Sequence, residues 1–283
     1  MASKTNYAPC LTFFQSALRA LGATARSYES RPSLASLILL AHDPSYAFPV
    51  SILTAFYPTV IFCIQSNIAL DEVLSILISS LAPLRSAVPR PELDADLIAP
   101  LIHLLPHVAS NHSDPDIRHY TFRVISLVLG LSPSPLRFRF LQDLLSDEDL
   151  PPQMRVAAVG LLKDAVLEGL ASSDKNIFAS PHLLAVFGPL VLRPQPPDLF
   201  DSVLLDDFLE SPEALRLVEC LGFYYVLLLR DVQNRVRSQH TAALPSTGLT
   251  IRIDRRSECR LAQQCAKFAA AAATQPSRRL EEG

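Results

Sequence analysis

Ile117-Arg118-His119-Tyr120-Thr121-Phe122-Arg123-Val124-Ile125 and Met154-Arg155-Val156-Ala157-Ala158-Val159-Gly160-Leu161-Leu162 lie 37 positions apart and read as one phrase written twice. Each sets an arginine ahead of apolar residues at helical spacing. Adding 37 places Thr121 on Ala158, Phe122 on Val159, Val124 on Leu161, Ile125 on Leu162 and Leu129 on Val166, so the apolar stripe repeats along with the arginine. Periods of about 40 residues with two helices per unit belong to HEAT and armadillo arrays, whose pairs bury their apolar faces only by stacking on neighbours. The spacing predicts an all-α fold, an α-solenoid of HEAT/armadillo-like antiparallel helix pairs. Each arginine is expected to pair with an acid in the preceding turn: Asp114 or Asp116 for Arg118, and the run Asp147-Glu148-Asp149 for Arg155. A looser third copy is Pro212-Glu213-Ala214-Leu215-Arg216, reached after an insertion.

Outward from these phrases, proline does the punctuation. The chain has 23 prolines, 8 glycines and no tryptophan, a balance that favours helices ended by proline over sheets and glycine-rich nucleotide loops. Helices are predicted over residues 11–25, 33–41, 70–82, 93–110, 117–131, 136–145, 154–170, 182–187 and 212–229. Pro83 is expected to stop the third of these, and Pro100 and Pro106 to bend or divide the fourth. Residues 190–197, rich in proline, read as an exposed connection. Beyond residue 235 the punctuation is lost, so the chain divides into a helical repeat domain, 1–235, and a disordered basic tail, 236–283, with one marginal helix at 259–273.

Charge limits the classes of partner. Residues 236–283 carry eight Lys and Arg against four Asp and Glu, a net +4, which leaves the first 235 residues at −7. An acidic body lacks the electrostatic footprint of a nucleic-acid binder. Five scattered cysteines, Cys10, Cys63, Cys220, Cys259 and Cys265, without a cleavable signal pattern, place the chain in a reducing compartment, the cytoplasm with access to the nucleus. Cys259 and Cys265 match no zinc spacing. The uncharged stretch from Pro44 to Leu70 is interrupted by Pro49 and Pro58 and interleaved with polar residues, which fits buried helices broken by proline and not a membrane span.

No catalytic, cofactor-binding or metal residue is assigned. His103 and His107, four apart, with His112 and His119 nearby, raise a metal site, but Leu104 stands where a zinc protease has its glutamate and Pro106 interrupts the helix. Gly-x-Ser-x-Gly elbows, phosphate-cradling glycine loops and paired-cysteine fingers are lacking. Asp206-Asp207 and Asp147 to Asp149 read as helix starts and solvated loops, and Phe223-Tyr224-Tyr225 as core packing. The expectation is a protein that is no enzyme, binds protein, needs no cofactor, and touches neither nucleic acid nor membrane. Its partner-binding residues and oligomeric state are not legible.

The phrase Gln153 to Lys163, continued by Glu168, Phe178-Ala179-Ser180-Pro181 and Pro194 to Leu199, resembles the fungal YAP-binding family, grouped with glomulin and the plant aberrant-lateral-root-formation proteins. Pro100-Leu101-Ile102-His103-Leu104-Leu105-Pro106 with Asp116-Ile117-Arg118 fits the same family. The resemblance covers about residues 95–230 and implies a HEAT-like scaffold without catalysis, here a shortened member. It further implies a bZIP transcription factor as partner in an oxidative stress response, or, on the glomulin side, the RING subunit of a cullin ubiquitin ligase. A related fungal branch acts at kinetochores. No functional residue is carried over.

Overall fold

In the computed structural model the described residues are 32–43, 48–147, 149–172, 176–194, 204–233 and 235–236, together with Ser16, Glu29 and Leu199. Among them the regular elements are all helical: α1 (Leu34–Ala41), α2 (Val50–Ser66), α3 (Leu70–Arg85), α4 (Ala95–Asn111), α5 (Pro115–Gly130), α6 (Ser134–Ser146), α7 (Pro152–Ala171), a 3-10 turn (Ile177–Ala179), α8 (Pro181–Val191), α9 (Leu205–Glu210) and α10 (Pro212–Arg230). The predicted helices at 11–25, apart from Ser16, and at 259–273 lie outside the described residues.

Local chemistry explains most of the boundaries. The Asp114 carboxylate accepts from the Asp116 N–H at 2.8 Å, and Pro115 fills the first helical position, where a missing N–H removes no helical bond. Proline stands in the first two positions of α6, α7, α8 and α10 as well. Ser33 and Ser36 cap α1 reciprocally.

Prolines inside helices behave differently from expectation. Pro58 lies within α2, Pro83 within α3, Pro100 and Pro106 within α4 and Pro189 within α8, each in one continuous element. An interior proline removes one ladder bond at a cost of about 3 kcal/mol. Burial on both sides of it offsets that cost. On α4 the buried residues Ile98, Leu101, Ile102, Leu105 and Pro106 run through both proline positions, so interrupting the helix would expose them. Pro58 and Pro83 sit on exposed faces, where water reaches the freed carbonyls. The Tyr57 hydroxyl, its pKa pushed up to about 12 by burial, donates to the Leu97 carbonyl at 2.7 Å and ties α2 to α4. Thus α3 runs on to Arg85 and α8 to Val191, into the first two residues of the stretch read as a connection.

The repeated stripe is a core face. Thr121, Val124, Ile125 and Leu129 on α5, and Ala158, Val159, Leu161, Leu162 and Val166 on α7, are all buried, and Phe122 is half-buried against the same core. Thr121 is accommodated because its hydroxyl donates to the Ile117 carbonyl at 2.7 Å. Helix α5 packs on α4 and α3, α7 on α6 and α10, α2 on α3 and α4, and α6 on α8.

Arg118 and Arg216 of these phrases reach backbone carbonyls that the sequence did not reveal. Arg118 donates to the carbonyls of His112 (2.7 Å) and Ser113 (3.0 Å), just past the end of α4, so it caps that helix's C-terminus. The exposed last carbonyls of a helix carry partial negative charge, and a guanidinium aimed at them satisfies bond and charge together. Arg216 does both: it donates to Leu190 and Arg193 carbonyls at the end of α8 and meets both oxygens of Glu213 at 2.6 Å. Part of the acidic run proposed for Arg155, Glu148, lies outside the described residues.

One carboxylate gathers three further arginines. Glu168 on α7 meets Arg85 at the end of α3 (3.2 Å), Arg90 in the α3–α4 connection (3.3 Å) and Arg137 on α6 (2.6 Å). Arg85 also donates to the Ser126 carbonyl and hydroxyl, each at 3.2 Å, and Arg90 to the Gly130 carbonyl at 3.5 Å, so α5 is drawn in through its last turns. Gly130 permits this, since a Cβ there would stand 3.2 Å from the Arg85 guanidinium. Burial alone raises the Glu168 pKa; the hydrogen bond and charge of Arg137, with the charges of Arg90 and Arg85, outweigh it and hold the carboxyl below its ordinary value.

The variant Glu168→Gln keeps the shape and removes the charge. With 30% of the side chain open to water, its loss is expected to lower the unfolding free energy by about 2 kcal/mol, read as a lower urea midpoint. The sign with pH is fixed: a depressed carboxyl stabilises fully above its unfolded pKa of about 4.3, and that contribution disappears as pH falls through the folded value. The native protein should lose stability below roughly pH 4.3 more steeply than Glu168→Gln. Parallel curves would rule out the ionic role.

Candidate functional site

Between α5, α7 and α10 the surface folds into an open groove of about 350 Å³. Phe122 and Ser126, one turn apart on α5, form one wall, and Glu219 of α10 the other. The floor comes from α7, through Val156, Ala157, Gly160, Leu161, Lys163 and Asp164. Lys163 bridges to Glu219 at 3.2 Å, tying floor to wall. The groove therefore joins apolar residues to the charges of Lys163, Asp164 and Glu219, a mixture common to protein-binding surfaces.

Gly160 lies on this floor. A glycine in mid-helix costs about 1 kcal/mol relative to alanine, and a Cβ at Gly160 would meet nothing within 4 Å. No neighbour in the fold requires the glycine, so its effect is to leave the α7 backbone open to whatever enters. Positions 157, 160, 164 and 168 share a face at three- and four-residue steps, which leads the floor toward Glu168 and its three arginines.

The other residues considered from sequence are dispersed. His103 and His107 are both exposed on α4, and the His103 ring meets the edge of Phe140 at 6.0 Å. His112 accepts from the Asp114 N–H at 3.1 Å through Nδ1, while the exposed His119 lies against Tyr120. Among the described residues no three His, Cys, Asp or Glu side chains converge as metal ligands, and no helix is long and apolar enough to cross a membrane. Asp206 and Asp207 are exposed in the first turn of α9. The aromatic group divides: Phe223 is core, but Tyr225 is 61% exposed, which corrects its reading as core packing. Two residues along a helix turn the direction by about 200°.

Two cysteines fall within the described residues. Cys63 is fully buried, and burial, reinforced by Glu72, raises its pKa. Cys220 is pushed up to about 12 by burial, with Arg216 opposing and Glu213 and Glu219 adding. Its sulfur accepts from Arg216 at 3.5 Å. Thiols held protonated and out of water react poorly with peroxide or alkylating agents. Cys63 and Cys220 are therefore expected to resist iodoacetamide at neutral pH in the native protein and to react once it is unfolded in urea, as peptide mass spectrometry would record. Prompt native labelling of either would contradict this burial. Cys10, Cys259 and Cys265 lie outside the described residues.

With the helices, groove and charge cluster in place, comparison with known proteins gives one result. No curated protein and no solved structure matches the chain. The model of the family described as an uncharacterised protein family, YAP/Alf4/glomulin, matches residues 64–247, from within α2 past the end of α10. That span holds the groove, the Glu168 cluster and both copies of the arginine phrase, and it is well over half of the 283 residues. The chain belongs to the YAP/Alf4/glomulin family.

Proposed function

We propose that the protein is a non-catalytic interaction adaptor whose α5–α7–α10 groove receives a segment of a protein partner, and that this partner is a bZIP transcription factor in an oxidative stress response in the cytoplasm and nucleus. The observation that carries the adaptor reading is Gly160: an uncovered helix backbone on the floor of a groove that joins apolar residues to ion-paired side chains. Family membership supports a protein partner, and the earlier resemblance supports the bZIP class.

The scaffold we propose is a HEAT-like solenoid of the pairs α2/α3, α4/α5 and α6/α7, continued by α8 and α10, within residues 1–235; composition supports treating 236–283 as a separate basic tail. Connections as short as residues 112–114 favour antiparallel pairs. Contacts of α3 with α5 and of α7 with α10, alongside those of α2 with α4 and of α6 with α8, support stacking within the first two pairs and within the last helices. The groove then lies between successive second helices, on a surface of the kind such arrays present to peptides and helices.

The test is affinity purification of the full chain from cells with and without peroxide, beside Gly160→Leu. A Cβ at this position meets nothing within 4 Å and leucine has the better helix propensity, so folding should be unharmed or stabilised by about 0.5–1 kcal/mol. Recovery of the bZIP factor should nevertheless fall at least roughly tenfold, equivalent to 1.4 kcal/mol of lost binding. Undiminished recovery with Gly160→Leu would remove the groove from the account. Recovery of a cullin-RING subunit in place of a bZIP factor would move the protein to the glomulin-like role.

A further inference from the structure

Helix α10 has two apolar faces, and the scaffold covers only one. Leu217, Cys220, Phe223 and Leu227 are buried inward. On the opposite side Leu215, Val218, Leu221, Tyr225, Leu228 and Leu229 are exposed and continue to Val232, with Val218 at 63% and Val232 at 82%. Within the helix, positions 215, 218, 222, 225 and 229 alternate steps of three and four residues, the spacing of a coiled-coil seam, and Val232 lies just past its end. An uncovered seam of this length is unusual on a monomer and marks an interface.

The seam is self-complementary. Leu215 and Leu229 stand seven residues either side of Gly222, with Val218 and Leu221 before it and Tyr225 and Leu228 after it. A Cβ at Gly222 would meet nothing within 4 Å, leaving the middle of the helix open to close approach. Exposed acids of α9, Asp206, Asp207 and Glu210, immediately precede the N-terminal end of α10, while exposed Arg230 closes its C-terminal end. An isologous contact brings one patch against its own copy, reversed by a two-fold axis. Reversal brings the α9 acids at the start of one α10 toward Arg230 at the end of the other, and it opposes the two helix dipoles favourably.

We propose that this face of α10 joins two copies of the chain as an antiparallel helix pair, with the two-fold axis close to Gly222. The seam is distinct from the groove: Glu219 and Lys163 border the groove, whereas Tyr225 and Leu228 point to the opposite side of the apolar packing. Dimerisation leaves the groove open and presents two of them in one particle.

Sedimentation velocity on the full chain over a wide concentration range tests the proposal. The native protein should pass from monomer to dimer as concentration rises. Tyr225→Glu, at an exposed position, should raise the dimer dissociation constant at least roughly tenfold while leaving the thermal midpoint unchanged. Arg230→Glu should weaken the dimer, and adding Glu210→Arg should restore it. A protein that stays monomeric at every concentration overturns the proposal, including the case in which Tyr225→Glu lowers the thermal midpoint because another segment of the same chain covers the seam. So does a dimer indifferent to Tyr225→Glu, or a seam filled only by a different protein. Loss of the dimer with partner recovery intact would separate this inference from the groove reading.

Discussion

A carboxylate with three guanidinium groups around it is the joint on which the fold turns. Glu168 stands near the end of α7, and its partners come from α3, the α3–α4 connection and α6, 31 to 83 residues away in sequence. Arg85 and Arg90 add bonds to the end of α5. Apolar stacking holds neighbouring helices together without fixing how far one slides along the next. Charge-assisted bonds of 2.6 to 3.3 Å do fix it. The same joint sets the position of the groove, because Ser126 in its wall accepts from Arg85 and Gly160 in its floor lies on the helix that carries Glu168.

A related device closes the helix ends. Arg118 serves the end of α4, Arg90 that of α5, Arg216 that of α8, and Arg235 that of α7 through the carbonyls of Leu170 and Ser172. Arg235 is itself held by Asp231, whose carboxylate accepts from the Arg235 and Val236 N–H groups. A chain with few glycines has few left-handed C-caps available. Arginine from a neighbouring element supplies the missing donors and joins the two elements in doing so.

Much of this architecture was legible in the sequence. The phrases at Arg118 and Arg155 pointed to helices with a shared buried stripe, and the stripe is buried on α5 and α7 except for half-buried Phe122. Helix starts were legible because Ser, Asp and Pro act locally. The helix ends expected at Pro83 and after Phe187 were misjudged, and α4 is not divided at Pro100 or Pro106, because tertiary burial outweighs the local cost of a proline. The carbonyls that Arg118 holds were not foreseen for a different reason: a carbonyl has no identity in a sequence, so carboxylates were the only visible candidates. Glu168 could not be singled out, since its arginines become neighbours only after folding. Gly160 was legible as a glycine in an apolar helix, but the empty space above it required coordinates.

The adaptor reading depends on the helices around Glu168 behaving as one rigid body that holds the groove in shape. Native-state hydrogen exchange in low urea measures this directly, helix by helix. The account predicts that amides in α3, α5, α6 and α7 exchange through one common opening with a single free energy and a single denaturant dependence. Exchange of α7 through its own lower-energy opening, with α3 and α5 still protected, would contradict it.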